Sequence, residues 1–238
     1  MYLFIDAGNT RIKYAGHDGA DWLFHDAVPS DASAPLKLPA GFAPQRILVV
    51  SVADAICNAF IEAQLASWAE CIEWFRSTPE RCGLRNGYEE PTQLGADRWA
   101  GAIAAWQHVK GACLVVAAGT ATTIDVITAD GVFAGGCIAP GLEMMRRALA
   151  RGTAALPLAA GHFEALPRNT ADAIFSGCLN AQLGSIARMR GRLPDDAPVL
   201  LTGGAAPALR DGIDGNVVEL PRLVLEGLLW TARSEQGA

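Results

Sequence analysis

A chain of 238 residues, 51% of them hydrophobic and 18% charged, can bury a sizeable core in one large domain or two small ones, which excludes wholesale disorder. Nineteen basic against 25 acidic residues leave a formal charge of −6. That excludes a general nucleic-acid binder, which needs a broad basic footprint, but not a local basic group that holds an anion.

In chain order, residues 2–5 and 11–15 read as two strands around an Ala7-Gly8-Asn9-Thr10 turn. The four prolines between Asp26 and Gln45 predict a loop or irregular edge, and the unbroken apolar run in Arg46–Val52 a buried strand. Ile56, Phe60, Ala63 and Leu65 stand near helical spacing, so 55–70 is predicted as an amphipathic helix. A short strand at 72–75 precedes a long Gly- and Pro-punctuated loop, 78–94. The segment 97–108 follows as a helix with Trp99, Ile103 and Trp106 on one face. Strands are predicted at 114–117, 122–128, 132–138 and 199–201, and helices from Pro140-Gly141 to about Ala150, over 170–190 and over 222–233.

The six cysteines form no Cys-x-x-Cys pair, and no histidine completes a zinc-ligand spacing, so no resident metal cluster is expected. Cys113 and Cys137 lie in apolar runs and read as core. The start, Met1 to Asp6, has no basic segment before its four apolar residues and meets an acid directly after them, unlike an export signal. The longest uncharged apolar stretch, Gly111–Ile124, is too short and too rich in Gly and Thr to span a bilayer. A reducing, cytoplasmic home away from membranes is the expectation.

An internal repeat recurs at an offset of 111 residues: Leu3-Phe4-Ile5-Asp6-Ala7-Gly8-Asn9-Thr10 aligns with Leu114-Val115-Val116-Ala117-Ala118-Gly119-Thr120-Ala121. Both copies open a strand–strand–strand–helix series. This predicts two α/β halves joined near 108–111, with a ligand cleft between them.

Four motifs carry chemistry. Asp6-x-Gly8-Asn9-Thr10 delivers an acid to a turn whose N–H groups and Thr10 hydroxyl can bond phosphate oxygens, with Arg11 and Lys13 adding positive charge. Asp6 can also orient hydrated Mg²⁺, which prefers one or two carboxylates with substrate phosphates. An ordinary hairpin turn explains the same residues. Gly95-Ala96-Asp97-Arg98 sits where the long loop meets a helix. Asp97 is either the helix cap or a base that accepts a proton from an attacking hydroxyl, with Arg98 binding an anion. Gly119-Thr120-Ala121-Thr122-Thr123 can hold phosphate from hydroxyls, or simply form a strand. Thr202-Gly203-Gly204-Ala205 can carry a flat group such as adenosine, or be a plain strand-to-helix turn.

Taken in order, Asp6 to Lys13, Gly95-Ala96-Asp97-Arg98, Ala118 to Asp125, Gly135-Gly136 with Ile138-Ala139-Pro140-Gly141, and Asn169-Thr170 resemble type III pantothenate kinase over nearly the whole chain. The resemblance implies an α/β fold of two ribonuclease-H-like halves of the actin-like ATPase superfamily with a central cleft, here drawn as 1–108 and 109–238. It implies transfer of the ATP γ-phosphoryl group to pantothenate, the first step towards coenzyme A. ATP would be bound by Asp6, Ala7, Gly8, Asn9, Thr10, Arg11, Ile12 and Lys13 and by Thr120. Asp97 would be the proton acceptor. Tyr88, Gly95, Ala96, Asp97, Arg98 and Thr170 would bind pantothenate. A homodimer is implied as well. Family members commonly carry an acid before the second turn that helps hold K⁺ or NH₄⁺, and here that position is Ala117. The expectation is therefore ATP with Mg²⁺, and either no monovalent cation or Asp125 as its substitute ligand. Two rival readings are a non-catalytic transcription-accessory factor on the same scaffold and another kinase or phosphohydrolase of the superfamily.

Overall fold

The computed structural model describes residues 1–153, 156, 158 and 160–235; positions 154, 155, 157, 159 and 236–238 of the expected second half lie outside the described residues. The chain packs as two units, Met1–His108 with Arg222–Ala238, and Val109–Pro221.

In the first unit, β1 (Tyr2–Ala7), β2 (Arg11–His17) and β3 (Trp22–Pro29) make an antiparallel meander. Then β4 (Arg46–Ser51) pairs parallel to β1, and β5 (Ile72–Trp74) parallel to β4, giving the order β3-β2-β1-β4-β5. Every residue of β1 is buried, as its continuous Tyr-Leu-Phe-Ile run requires of a strand covered on both faces. The parallel crossover from β4 to β5 is α1 (Ala55–Gln64), whose Asp54 cap accepts the Cys57 N–H at 2.9 Å. This helix is shorter than the expected 55–70, because 66–71 tighten into a 3-10 turn. It buries Cys57 and Ile61 and leaves Ile56 72% exposed, so the expected apolar face is rotated. An edge strand, β3, occupies the start of the segment expected to be loop.

The expected loop 78–94 contains a hairpin of β6 (Glu80–Arg81) and β7 (Leu84–Asn86) and a 3-10 turn at Pro91–Gln93. The hairpin turns on Cys82 and Gly83, with φ of 52° and 73°, the left-handed pair that a two-residue hairpin loop demands. Next comes α2 (Ala96–Val109), with Trp99 and Ile103 fully buried.

The second unit repeats the plan. An antiparallel set of β8 (Cys113–Ala118), β9 (Ala121–Ile127) and β10 (Val132–Pro140) is followed by α3 (Leu142–Gly152) and α4 (Thr170–Arg190). Then β11 (Val199–Thr202) pairs parallel to β8. After the short α5 (Ala206–Arg210), β12 (Val217–Glu219) pairs parallel to β11. The order β10-β9-β8-β11-β12 matches that of the first unit, so the sequence repeat is a repeated topology. The second turn is one residue shorter: Ala7 pairs with Ile12, but Ala118 with Thr122.

The final helix, α6 (Leu223–Ser234), belongs to the first unit rather than to the expected 109–238 half. Leu223, Leu225, Leu228 and Leu229 are buried, each contributing about 1.5–3 kcal/mol. A side chain at Gly227 would collide with the Ala100 carbonyl, so α6 and α2 meet backbone to backbone. His108 Nε2 and Glu226 Oε2, 2.7 Å apart, tie their ends together. All six cysteines are free, and Cys137 is exposed on β10 rather than in the core. No helix among the described residues is long and apolar enough to cross a membrane.

Candidate active site

In the first unit, Asp6 sits near the C-terminal end of β1, paired in register with Lys13 on one side and Val50 on the other. It is 8% exposed, and burial pushes its carboxyl from the ordinary 3.8 up to about 6. Lys13 opposes that rise, with Nζ 3.7 Å from Oδ2, while the negative charge of Asp97 adds to it. The two acids therefore share one electrostatic neighbourhood. The turn between them and solvent is closed by the Gly8 N–H donating to the Arg11 carbonyl at 3.0 Å. Neither Gly8 nor Asn9 takes a left-handed φ. A Cβ on Gly8 would meet only the Arg11 oxygen at an ordinary 3.5 Å, so glycine here serves access rather than conformation. Ala7 and Ile12 are buried beneath the turn, while Asn9, Thr10 and Arg11 are exposed. Arg11 Nη2 donates to the Ala27 carbonyl of β3 at 3.3 Å.

The second acid, Asp97, lies inside the first turn of α2 and is not its cap. The Gly95 carbonyl accepts the Trp99 N–H at 2.9 Å, which makes Gly95 the capping position. Asp97 Oδ1 accepts the Arg98 N–H at 2.8 Å, and Oδ2 has no bond among the described residues. Arg98 is 8% exposed; its Nη1 donates to the Tyr88 hydroxyl at 2.8 Å, and its guanidinium lies 5.7 Å from the Tyr88 ring centroid. Tyr88 is placed by Asn86, which sequence reasoning missed. Asn86 Oδ1 accepts the Tyr88 N–H at 3.1 Å, and Nδ2 donates to the Thr78 and Pro91 carbonyls, both at 3.2 Å. The signal available in the sequence is an asparagine directly before Gly87 inside the long loop. Asp6, Lys13, Tyr88, Gly95, Ala96, Asp97 and Arg98 thus all belong to the first unit.

Thr120 and Thr170 belong to the second. The Gly119–Thr120 turn is exposed and gripped from two sides. Gly141 donates its N–H to the Thr120 carbonyl at 2.9 Å, and a side chain there would strike the Gly119 and Thr120 carbonyls. Gly203, with φ +102°, lies against Ala118 so closely that a side chain would strike its carbonyl, while the Ala205 N–H donates to that same oxygen at 3.0 Å. Gly203 is therefore required for packing, whereas Gly204 is open and exposed. Ala117 pairs with Thr123 and Thr202, and the Thr123 hydroxyl is buried without a partner among the described residues. Asp125, two residues further on, is 1% exposed. An alanine offers a cation no side-chain oxygen, so position 117 supplies no side-chain ligand to one.

Thr170 opens α4 after its Asn169 cap, whose Oδ1 accepts the Asp172 N–H at 2.9 Å. It lies on the rim of a groove of about 1100 Å³ between α3 and α4, lined mainly by apolar residues such as Met145, Leu149 and Ile174. The described residues hold no group of three or more His, Cys, Asp or Glu side chains suited to a metal. A divalent ion bound with nucleotide needs fewer protein ligands: one carboxylate with phosphate and water oxygens suffices. Asp6, buried and poorly solvated, has that character.

Residues 2–192 match the family model for type III pantothenate kinase. The type III pantothenate kinase of Aromatoleum aromaticum is 46% identical over 242 aligned positions that cover all of both chains. Among solved structures, a conserved putative Baf family transcriptional activator from Campylobacter jejuni superposes with a TM-score of 0.68 at 20% identity, covering 99% of this chain and 100% of that one. A putative 2-dehydro-3-deoxygalactonokinase from Sinorhizobium meliloti gives 0.62 at 16% identity over the whole of both chains. These two likenesses establish the fold, while the sequence matches, at that identity and coverage, make the chain a member of the type III pantothenate kinase family.

Proposed function

We propose that this protein transfers the γ-phosphoryl group of ATP to the primary hydroxyl of pantothenate, giving 4′-phosphopantothenate in the first step of coenzyme A biosynthesis. The observation that carries the reading is the pairing of a family match over residues 2–192, and of a relative 46% identical over the whole chain, with two neighbouring acids, Asp6 and Asp97. The hydroxyl oxygen attacks the γ-phosphorus, the bridging P–O bond to ADP breaks, and the hydroxyl proton passes to Asp97. Phosphoryl transfer asks the protein chiefly for positioning and charge neutralisation. Lys13, the Asn9 N–H and Thr10 bind phosphate oxygens, and Thr120 is a further phosphate ligand. Arg98, held by Tyr88, takes the pantothenate carboxylate, and Thr170 contributes to the same substrate. Mg²⁺ fits Asp6, and when bound with ATP it neutralises phosphate charge. Ala117 supplies a monovalent cation no side-chain oxygen, so either none is required or Asp125 substitutes, and no step depends on one.

The protein works as a cytoplasmic homodimer in this reading, which rests on the resemblance. The transcription-accessory alternative is not favoured. The Campylobacter likeness, at 20% identity, carries the fold alone, and Asp6, Asp97 and Arg98 are all in place. An ADP-release assay with ATP and pantothenate, followed by mass detection of the phosphorylated product, tests the function. ATP binding without turnover would refute it.

A further inference from the structure

Gly141 closes on the Gly119–Thr120 turn just where β10 ends, and the residue before it, Pro140, has no N–H to pin that corner. A side chain of α4 does so instead. Gln182 Nε2 donates to the Pro140 carbonyl at 2.6 Å and also approaches Met145 Sδ at 3.4 Å. Met145 in turn donates its N–H to the Gly141 carbonyl at 2.9 Å. Gln182 thus grips both ends of the segment 140–145. It is 2% exposed, and its Oε1 is buried with no partner among the described residues. Turning the amide over would set oxygen against the Pro140 oxygen, so the donor assignment is forced. A buried amide with an unpaired oxygen is a poor core residue, and a methionine would fill the space without that cost.

We propose that Gln182 is a positioning residue for the Gly119–Thr120 turn, holding the Pro140–Gly141 corner so that Gly141 stays locked beneath the turn. The inference rests on reading Thr120 as an ATP-phosphate ligand. Two variants of the full chain test it: Gln182→Met, which keeps length and loses the donor, and Gln182→Glu, which sets an acceptor against the Pro140 carbonyl. Loss of one buried hydrogen bond is expected to speed amide exchange of Gly141 in the ligand-free protein by about ten-fold, with the Leu114 and Leu201 amides unchanged. The ATP KM rises by about ten-fold in both variants, and the pantothenate KM stays within about two-fold. Equal acceleration at all three amides, or both KM values rising together, means general loosening and overturns the proposal. Thr120→Ala is measured in parallel. If it raises the ATP KM and the Gln182 variants do not, the Gln182 link alone fails. If it leaves the ATP KM unchanged, the phosphate reading of the turn fails, and the proposal with it.

Discussion

Replacing Asp6 with Asn is expected to make the ligand-free protein more stable and the enzyme inactive. Burial raises the Asp6 carboxyl from 3.8 to about 6, with Lys13 pulling it down and Asp97 pushing it further up. Two pKa units correspond to about 3 kcal/mol, an upper bound for a group beside a half-exposed lysine. The sign follows from proton binding. Below pH 3.8 the carboxyl is protonated in both folded and unfolded chains, and Asp6 costs nothing. Between 3.8 and about 6 the folded chain keeps a proton that the unfolded chain releases, so stability falls as pH rises, and above about 6 the full cost stands. Asparagine stays neutral throughout. The Lys13 attraction that it forfeits already stands inside the net rise to about 6, so nothing more is subtracted for it. The balance at pH 7.5 is at most about 3 kcal/mol in favour of Asp6→Asn, or up to about 6–12 °C in Tm. Thermal unfolding in EDTA without nucleotide, from pH 4 to pH 8, checks this. The gap should open with rising pH and close near pH 4. A gap of equal size at both ends, or an asparagine variant less stable at pH 8, would refute the electrostatic argument. The same variant should lose at least about 10²-fold in kcat if, as proposed, the carboxylate that costs stability is the one that serves the nucleotide and its metal.

Asp97→Asn keeps the fold and ATP binding but lowers kcat by about 10²-fold or more, read by steady-state kinetics; wild-type turnover would leave Asp97 with only its first-turn role on α2. Thr170→Ala raises the pantothenate KM more than the ATP KM, and the reverse split would place Thr170 outside the substrate site. Initial rates in K⁺, Na⁺ and choline at matched ionic strength are expected to agree, since Ala117 supplies no ligand; a strong demand for K⁺ overturns that expectation. Gly203→Ala forces a left-handed φ on alanine and a collision with Ala118, and is expected to destabilise the protein by at least about 1–3 kcal/mol in urea unfolding.

Buried periodic elements were legible in the sequence, and edges were not. β1, β4, β8 and β11 carry unbroken apolar runs because both faces are covered, and α4 spans the expected 170–190. β3 and β12 are largely exposed, so their side chains carry little hydrophobic signal, and neither was expected. The β6–β7 hairpin hid for another reason. Its strands are two and three residues long, and its turn places a non-glycine, Cys82, at positive φ, which no turn motif announces. α6 was recognised as a helix but assigned to the wrong half. Chain order suggests the second unit, and only the close approach of Gly227 to Ala100 reveals its partner.

The candidate site was legible where a residue's role follows from its own chemistry and its place on a strand or helix end. Asp6, Lys13 and Asp97 are of that kind. Asn86 and Gln182 are not, because their roles are to hold other residues, and such partners are distant in sequence and fixed only by packing. The internal repeat sharpens the contrast. The two turns began as matching strings, yet the first carries a buried carboxylate at Asp6 and the second carries Ala117 at the aligned position, with the unpartnered Thr123 hydroxyl opposite. One copy keeps its charge and gives up stability for it. The other has given up its charge and relies on backbone, with Gly141 and Gly203 pressed against the turn and Gln182 behind it. Equivalent positions in a duplicated fold thus differ in how their turns are built, one around a buried carboxylate and the other on close backbone packing. The first should respond to pH and to substitution at Asp6, the second to loss of the glycines and the glutamine that hold its shape.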